Sequence, residues 1–358
     1  MRRLGFFRGA RRGGSMAPVA GAPETPPVLE KDVRRRDFIK VTAGLAVTWP
    51  RLATAQQGSP VIGFLHLGSP AANAKRLAGF RKGLGDAGFT DGQNVAIDYR
   101  WAEGRGDRLA ELAADLVRRQ VSVIVTLSAT QAALAAKAAT NTIPIVFQVG
   151  SDPVDIGLVA SLNRPGGNAT GVSSLSAEIV PKRIGLLREV VPSIANVSVL
   201  ANPSNPNASS MANELATVSR QLNLQARVLL ASNDDEIRAA FKQASSKPDS
   251  ALVVGNDPNF FIRRSLLASL AIDHHLPMIA YEREFAIDGS LMSYGTKSDS
   301  AWEMAGGYVA RILRGEHPRD LPVMQVAVFE LVLNLKTAKA LGVPVPATVM
   351  ALADEIIE

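Results

Sequence analysis

Ser128 and Thr130 flank Ala129 directly after the apolar run Val121-Ser122-Val123-Ile124-Val125-Thr126-Leu127, and an Ala-rich helical stretch from Gln131 to Ala139 follows at once. A β-branched run, a turn and a helix start would put two hydroxyls and unpaired backbone N–H groups at one helix N-terminus, chemistry that suits a carboxylate or another anion. The next apolar run, Ile143 to Val149, ends in Gly150-Ser151-Asp152-Pro153, where Asp152 offers an acid suited to an amine. Together the two turns can form a small zwitterion receptor. The competing account is local: Ser128 or Thr130 caps its own helix, and Asp152-Pro153 starts the next one.

The elements around these turns favour the receptor. Val61 to Leu65 and Val95 to Arg100 read as strands, and the segments ending near Gly88 and Arg119 read as helices with apolar residues at helical spacing. Strands alternating with helices of this length predict a parallel sheet with covered faces. After the break at Asn163-Arg164-Pro165-Gly166-Gly167-Asn168 a second series begins, with strands at Val197 to Ala201, Gln225 to Leu230, Ala251 to Val254 and Met278 to Ala280. Ligands of such sheets bind beyond the carboxyl ends of the strands. At those ends stand Ser69 in the first series and Asn202, Asn205, Asp257, Tyr281 and Arg283 in the second, each weighed evenly between touching a ligand and satisfying its own loop. Tyr294 either stacks on the solute or packs at a hinge.

The expected fold class is α/β: two doubly wound parallel-sheet lobes joined by a multi-strand hinge. Residues 1–55 form a leader, 56–172 with 290–325 the first lobe, and 173–289 with 326–358 the second. Lobes wired together this way close on a ligand by rotating about the hinge.

Charge is unevenly divided. Residues 1–55 carry 11 Lys and Arg against 4 Asp and Glu, a net +7, whereas the remaining 303 carry 28 against 29, a net −1. The nearly neutral remainder removes the footprint that nucleic-acid binding requires. Within the leader, Arg35-Arg36-Asp37-Phe38-Ile39-Lys40 resembles a twin-arginine export motif, and Val41 to Trp49 is apolar but too short for a permanent membrane anchor. Ala53-Thr54-Ala55 has the form of a signal-peptidase site. Cleavage after Ala55 and a periplasmic location are therefore expected. With no cysteine in the chain, disulfides, thiolate metal sites and cysteine nucleophiles are excluded.

Across the region after the leader the chain resembles the ABC-transporter substrate-binding proteins of the tryptophan/tyrosine type, which have the type I periplasmic binding protein fold. The resemblance is carried by Tyr99-Arg100-Trp101-Ala102-Glu103-Gly104, Ile143-Pro144-Ile145-Val146-Phe147, Asp152-Pro153-Val154, Gly157 to Leu162 and Arg164 to Val172. It continues in Arg283-Glu284-Phe285, Leu291 to Gly295 and Phe329 to Ala338. It implies a small-molecule solute, aromatic amino acids among the ligands of the family, and transient delivery to an ABC permease in the inner membrane. Asp152 matches the family's acid. Ala129 stands where the family usually has Gly or Thr, which changes the hydroxyl pattern of that turn.

Catalysis is not expected, and neither a cofactor nor a metal site is read. His66 and His317 are isolated, His274-His275 sits near a helix end where adjacent side chains diverge, and no GxSxG elbow or phosphate loop occurs. An exported α/β enzyme is the weaker alternative. A DNA-reading regulator would need a helix pair where the leader stands. The receptor of a periplasmic sensor complex would bind solute in the same way. The expected state is a monomer.

Overall fold

The computed structural model describes residues 59–174, 179–326 and 328–358. The leader, with its export and cleavage motifs, lies outside the described residues.

The first lobe is a six-stranded, all-parallel sheet. In chain order its elements are β1 (Val61–His66), α1 (Ala74–Asp86), β2 (Ala96–Trp101), α2 (Leu109–Arg118), β3 (Val123–Thr126), α3 (Thr130–Ala139), β4 (Ile145–Val149) and β5 (Ala169–Ser173). A late strand, β11 (Met324–Gln325), completes the sheet order β11-β5-β4-β3-β1-β2. Strand alternation divides the core. Leu65, Ile124 and Phe147 face Leu109, Ala113, Leu116 and the alanines of α3, while Ile62, Phe64 and Val125 face Leu77, Phe80 and Leu84 of α1. The apolar stripes that the helical spacing predicted are these buried faces.

The second lobe contains α4 (Val180–Val190), β6 (Asn196–Ala201), α5 (Ala208–Leu222), β7 (Gln225–Leu230), α6 (Asp234–Ala244), β8 (Ser250–Val254), α7 (Pro258–Ile262), α8 (Arg264–Asp273), β9 (Met278–Ala280) and α9 (Arg283–Ile287). It also holds β10 (Met292–Thr296), β12 (Phe329–Asn334), α11 (Leu335–Ala340), α12 (Ala347–Leu352) and β13 (Glu355–Ile357), whereas α10 (Ser298–Leu313) packs on α1 of the first lobe. The seven-stranded order is β13-β12-β10-β9-β8-β6-β7, parallel except where β10 meets β12.

One expected boundary is corrected. Residues 290–296, read from sequence as part of the first lobe, belong to the second sheet: Met292 pairs with Ile279 and Leu333, and Leu291 and Met292 are buried in the second lobe's core. The chain crosses back only at Lys297. Three segments thus connect the lobes, after β5, between β10 and α10, and between β11 and β12. They are tied to one another where Thr296 Oγ1 donates to the Ser174 carbonyl at 3.3 Å and the Lys297 N–H donates to the Val328 carbonyl at 3.0 Å.

Close helix crossing fixes α10 on the first lobe. A Cβ at Gly83 would stand 2.0 Å from the Glu303 carbonyl oxygen, and one at Gly306 would stand 2.4 Å from that of Phe80. Only glycine lets the two backbones approach this far.

Candidate functional site

Parallel strands deliver their carboxyl ends to one edge of each sheet, and here the two edges face each other across a cleft. From the first lobe the cleft is lined by His66 at the end of β1, Asn73 and Arg76 at the start of α1, Ser128 just before α3 and Thr130 at its first position, Gln148 and Gly150 at the end of β4, and Ser174. From the second lobe come Asn205, Asn207, Asn256, Asp257, Pro258, Phe261, Tyr281 and Glu282, with Thr296 and Ser298 at a crossing. The free space at the centre is about 50 Å³. Side chains of the two lobes touch across it, Arg76 with Glu282 and Ser151 with Asn207, so the lobes are closed on one another.

Ser128 occupies the left-handed region, at φ 54°. This conformation aims both its N–H and its hydroxyl at Gln148 Oε1, at 2.7 and 2.8 Å, while the Trp302 indole N–H donates to the same hydroxyl at 2.9 Å. Gln148 is held in turn by donating to Ser174 Oγ at 2.5 Å. Ser128 is thus a fully engaged strut of the cleft wall. Helix α3 has Ala129 at its N-cap and no side-chain cap, so neither Ser128 nor Thr130 plays the simple capping role. Thr130 Oγ1 lies 3.3 Å from Ser151 Oγ, and Ser151 donates to Asn207 Oδ1 of the other lobe.

Asp152 does not line this cavity. Its Oδ1 accepts from the N–H groups of Val154 and Asp155 at 2.7 and 3.4 Å, a local turn that Pro153 helps to set. The acid at the centre is Asp257, buried to 2 % exposure. It accepts from Asn202 Nδ2 at 3.1 Å, Asn205 Nδ2 at 2.7 Å and the Asn259 N–H at 2.8 Å. Burial raises the Asp257 carboxyl above its ordinary value, against the opposing pull of the two asparagines. Asn202 stands behind Asp257 and holds the Ser204 N–H, whereas Asn205 reaches the cleft itself.

Among the other expected residues, Tyr281 lines the cleft, and its hydroxyl donates to the Asp257 carbonyl at 2.7 Å. Ser69 turns inward to its own loop, accepting from the Ala72 N–H at 3.4 Å. Arg283 is drawn away by a two-bond pair with Glu355, at 2.5 and 2.7 Å, in a neighbouring groove. Tyr294 stacks on Phe329 with ring centres 5.8 Å apart, which is the hinge-packing role. Its carbonyl accepts from Arg183 Nε at 2.8 Å, and Arg183 also donates to Asn256 Oδ1 at 3.2 Å. That fully buried guanidinium is pulled down to about 9, chiefly by burial, and it positions Asn256 on the cleft.

Sequence reasoning passed over His66, Arg76, Gln148, Phe261 and Glu282. His66 Nδ1 accepts from the Gly68 N–H at 2.8 Å, which leaves the proton of the neutral ring on Nε2. That nitrogen is buried and has no partner among the described residues, in a ring that lines the cavity. Burial first, and the Arg76 charge second, push the imidazole down to about 3. Arg76 and Glu282 form an ion pair across the cleft, with side chains 4 % and 10 % exposed. The Arg76 guanidinium carbon lies 3.7 Å from the centre of the Phe261 ring. A usable signal existed for Arg76: it occupies the stripe that also carries Leu77, Phe80 and Leu84, where a cation is costly unless it is paired.

Two facing sheets, one parallel and one parallel but for a single antiparallel pair, with three connecting segments and a polar cleft between strand ends, define a bilobed solute-binding protein of the type I periplasmic class. More particularly, residues 63–357 match the family of ABC transporter substrate binding proteins, and the chain belongs to it. A relative from Clostridioides difficile (strain R20291), described as a tyrosine-binding protein, is 29% identical over 267 residues, covering 75% of this chain and 76% of its own. Among solved structures, the ABC domain from Streptococcus pneumonia in complex with L-Trp superposes with a TM-score of 0.77 at 25% identity, over 84% of this chain and all of that one. The ligand-free, open structure of a substrate binding protein with adhesive properties from Clostridium difficile gives 0.61 at 27% identity, over 83% of this chain and 99% of that one. The higher score for the ligand-bound structure accords with the closed cleft.

Proposed function

We propose that this protein is the exported solute receptor of an ABC importer, which closes its lobes over one small solute in the periplasm, releases it unchanged to a membrane permease, and performs no chemistry on it. The solute class we propose is an amino acid, with tyrosine and tryptophan the first candidates because the relatives described above bind them. The observation that carries the reading is the cleft: buried polar groups from both lobes converge there, and His66 Nε2 has no partner among the described residues. A buried donor without an acceptor is costly, and a bound solute would satisfy it.

On this reading Thr130, Asn205, Asp257 and Tyr281 contribute to solute binding, Ser128 and Asn202 shape the site from behind, and Asp152, Ser69, Arg283 and Tyr294 serve their own loops and the hinge. The protein acts as a monomer, since each copy carries both walls of its cleft. Thermal-shift titration of residues 56–358 with the twenty amino acids tests the proposal. A ligand at a hundred times its dissociation constant adds about 2.7 kcal/mol of stability. No shift with any amino acid would reject the proposed solute class.

A further inference from the structure

The ion pair between Arg76 and Glu282 stands inside the cleft, and each partner belongs to a different lobe. Arg76 is fixed on the first-lobe side by Asn73 Oδ1, 3.3 Å from its Nη1, and its guanidinium carbon lies 3.7 Å from the ring centre of Phe261 of the second lobe. Glu282 is fixed on the second-lobe side as the residue before α9, and its Oε1 accepts from Ser298 Oγ at 3.1 Å. His66 adds a second donor to the cleft, the Nε2–H without a partner among the described residues. The paired side chains stand within the cavity lining and join its two walls, so a solute that reaches both walls has to part them.

Charge conservation then selects the guest. An uncharged solute that parted the pair would leave a buried cation and a buried anion both unpaired, which is far costlier than breaking an exposed pair. A lone carboxylate would satisfy Arg76 and strand Glu282; a lone amine would do the reverse. Only a guest carrying both charges replaces each lost partner. Resting on the solute-receptor reading above, we infer that Arg76 and Glu282 are the specificity-determining residues of the cleft: in the empty closed form they clasp each other, and in the loaded form the solute's carboxylate takes Arg76 and His66 while its ammonium takes Glu282. The clasp is the receptor's own stand-in for a zwitterion, and it places the charge-reading groups on residues other than Ser128 and Asp152.

The test uses residues 56–358 as wild type, Glu282→Gln and Arg76→Met, with calorimetric titration of L-tyrosine, tyramine and 3-(4-hydroxyphenyl)propanoate, and of the other nineteen amino acids. Gln keeps the shape of Glu282, and Met fills the channel of Arg76 without charge; melting curves confirm that each variant is folded. Every amino acid that binds the wild type is expected to weaken by about a hundredfold or more in either variant. If L-tyrosine is the binder, the propanoate binds Glu282→Gln more tightly than it binds the wild type, and tyramine likewise prefers Arg76→Met. A merely structural role would not produce this crossed preference. An amino acid that binds the wild type and Glu282→Gln within a factor of about three overturns the inference and leaves the receptor reading intact. Absence of binding by any amino acid to the wild type overturns both.

Discussion

The Trp302 indole N–H donates to Ser128 Oγ at 2.9 Å, joining the helix after the second lobe crossing to the turn that precedes α3. The hydroxyl also donates to Gln148, so it has no hydrogen left to offer a solute. Ser128→Ala is therefore expected to cost about 1–3 kcal/mol of stability, because it leaves the buried indole N–H without an acceptor. Solute affinity should change far less than stability, a contrast that paired urea melts and calorimetric titrations resolve.

The two acids read from the sequence separate in the same way. Asp152→Ala removes a local cap and should cost about 1 kcal/mol of stability with affinity unchanged. Asp257→Asn alters the acid at the centre of the cleft and leaves the amide groups of Asn202 and Asn205 facing another amide. We expect it to weaken solute binding by about tenfold or more, measured by calorimetry.

The α1–α10 crossing predicts a steric result. Gly83→Ala or Gly306→Ala drives a methyl into a carbonyl oxygen of the opposing helix, so each should destabilise by about 1–3 kcal/mol or more. Gly85→Ala, whose Cβ would meet nothing within 4 Å, should be neutral or slightly stabilising. Thermal melts of the three variants decide this.

His66 gives a pH dependence with a definite sign. The folded protein holds it at about 3, against 6.5 ordinarily, so between these values the unfolded chain takes up a proton that the folded one refuses. Its contribution is complete above pH 6.5 and is lost as pH falls toward 3, on the order of 2 kcal/mol by pH 5. The raised Asp257 carboxyl acts with the opposite sign, since the folded state takes up that proton first as pH falls. Urea melts at pH 7 and pH 5 should show a smaller loss for His66→Gln than for wild type.

Much of this architecture is legible because period and punctuation are local. The β-branched runs Val123–Thr126 and Ile145–Val149 must be buried strands, and polar residues must gather where such strands end. The rule that pointed to Asn205, Asp257 and Tyr281 is the same one that pointed to Asp152. Only tertiary geometry separates them, since a side chain that turns back onto the N–H of Val154 has the same sequence signature as one that points into a cleft. Partner choice is equally non-local: nothing within Met292–Thr296 states that its neighbours are Met278–Ala280 and Phe329–Asn334. Arg76 and Glu282 are far apart in sequence, and their pairing depends on how two lobes meet.

Lobe closure on an unaltered guest is the central claim, and fluorescence energy transfer between the lobes measures it most directly. The chain lacks cysteine, so Glu111→Cys on α2 and Ala239→Cys on α6, both exposed, give one dye on each lobe of residues 56–358. The account predicts that saturating L-tyrosine or L-tryptophan changes the transfer efficiency, that dialysis reverses the change, and that the amino acid is recovered intact. A calorimetrically verified bound amino acid that leaves the efficiency unchanged, or that emerges chemically altered, would contradict it.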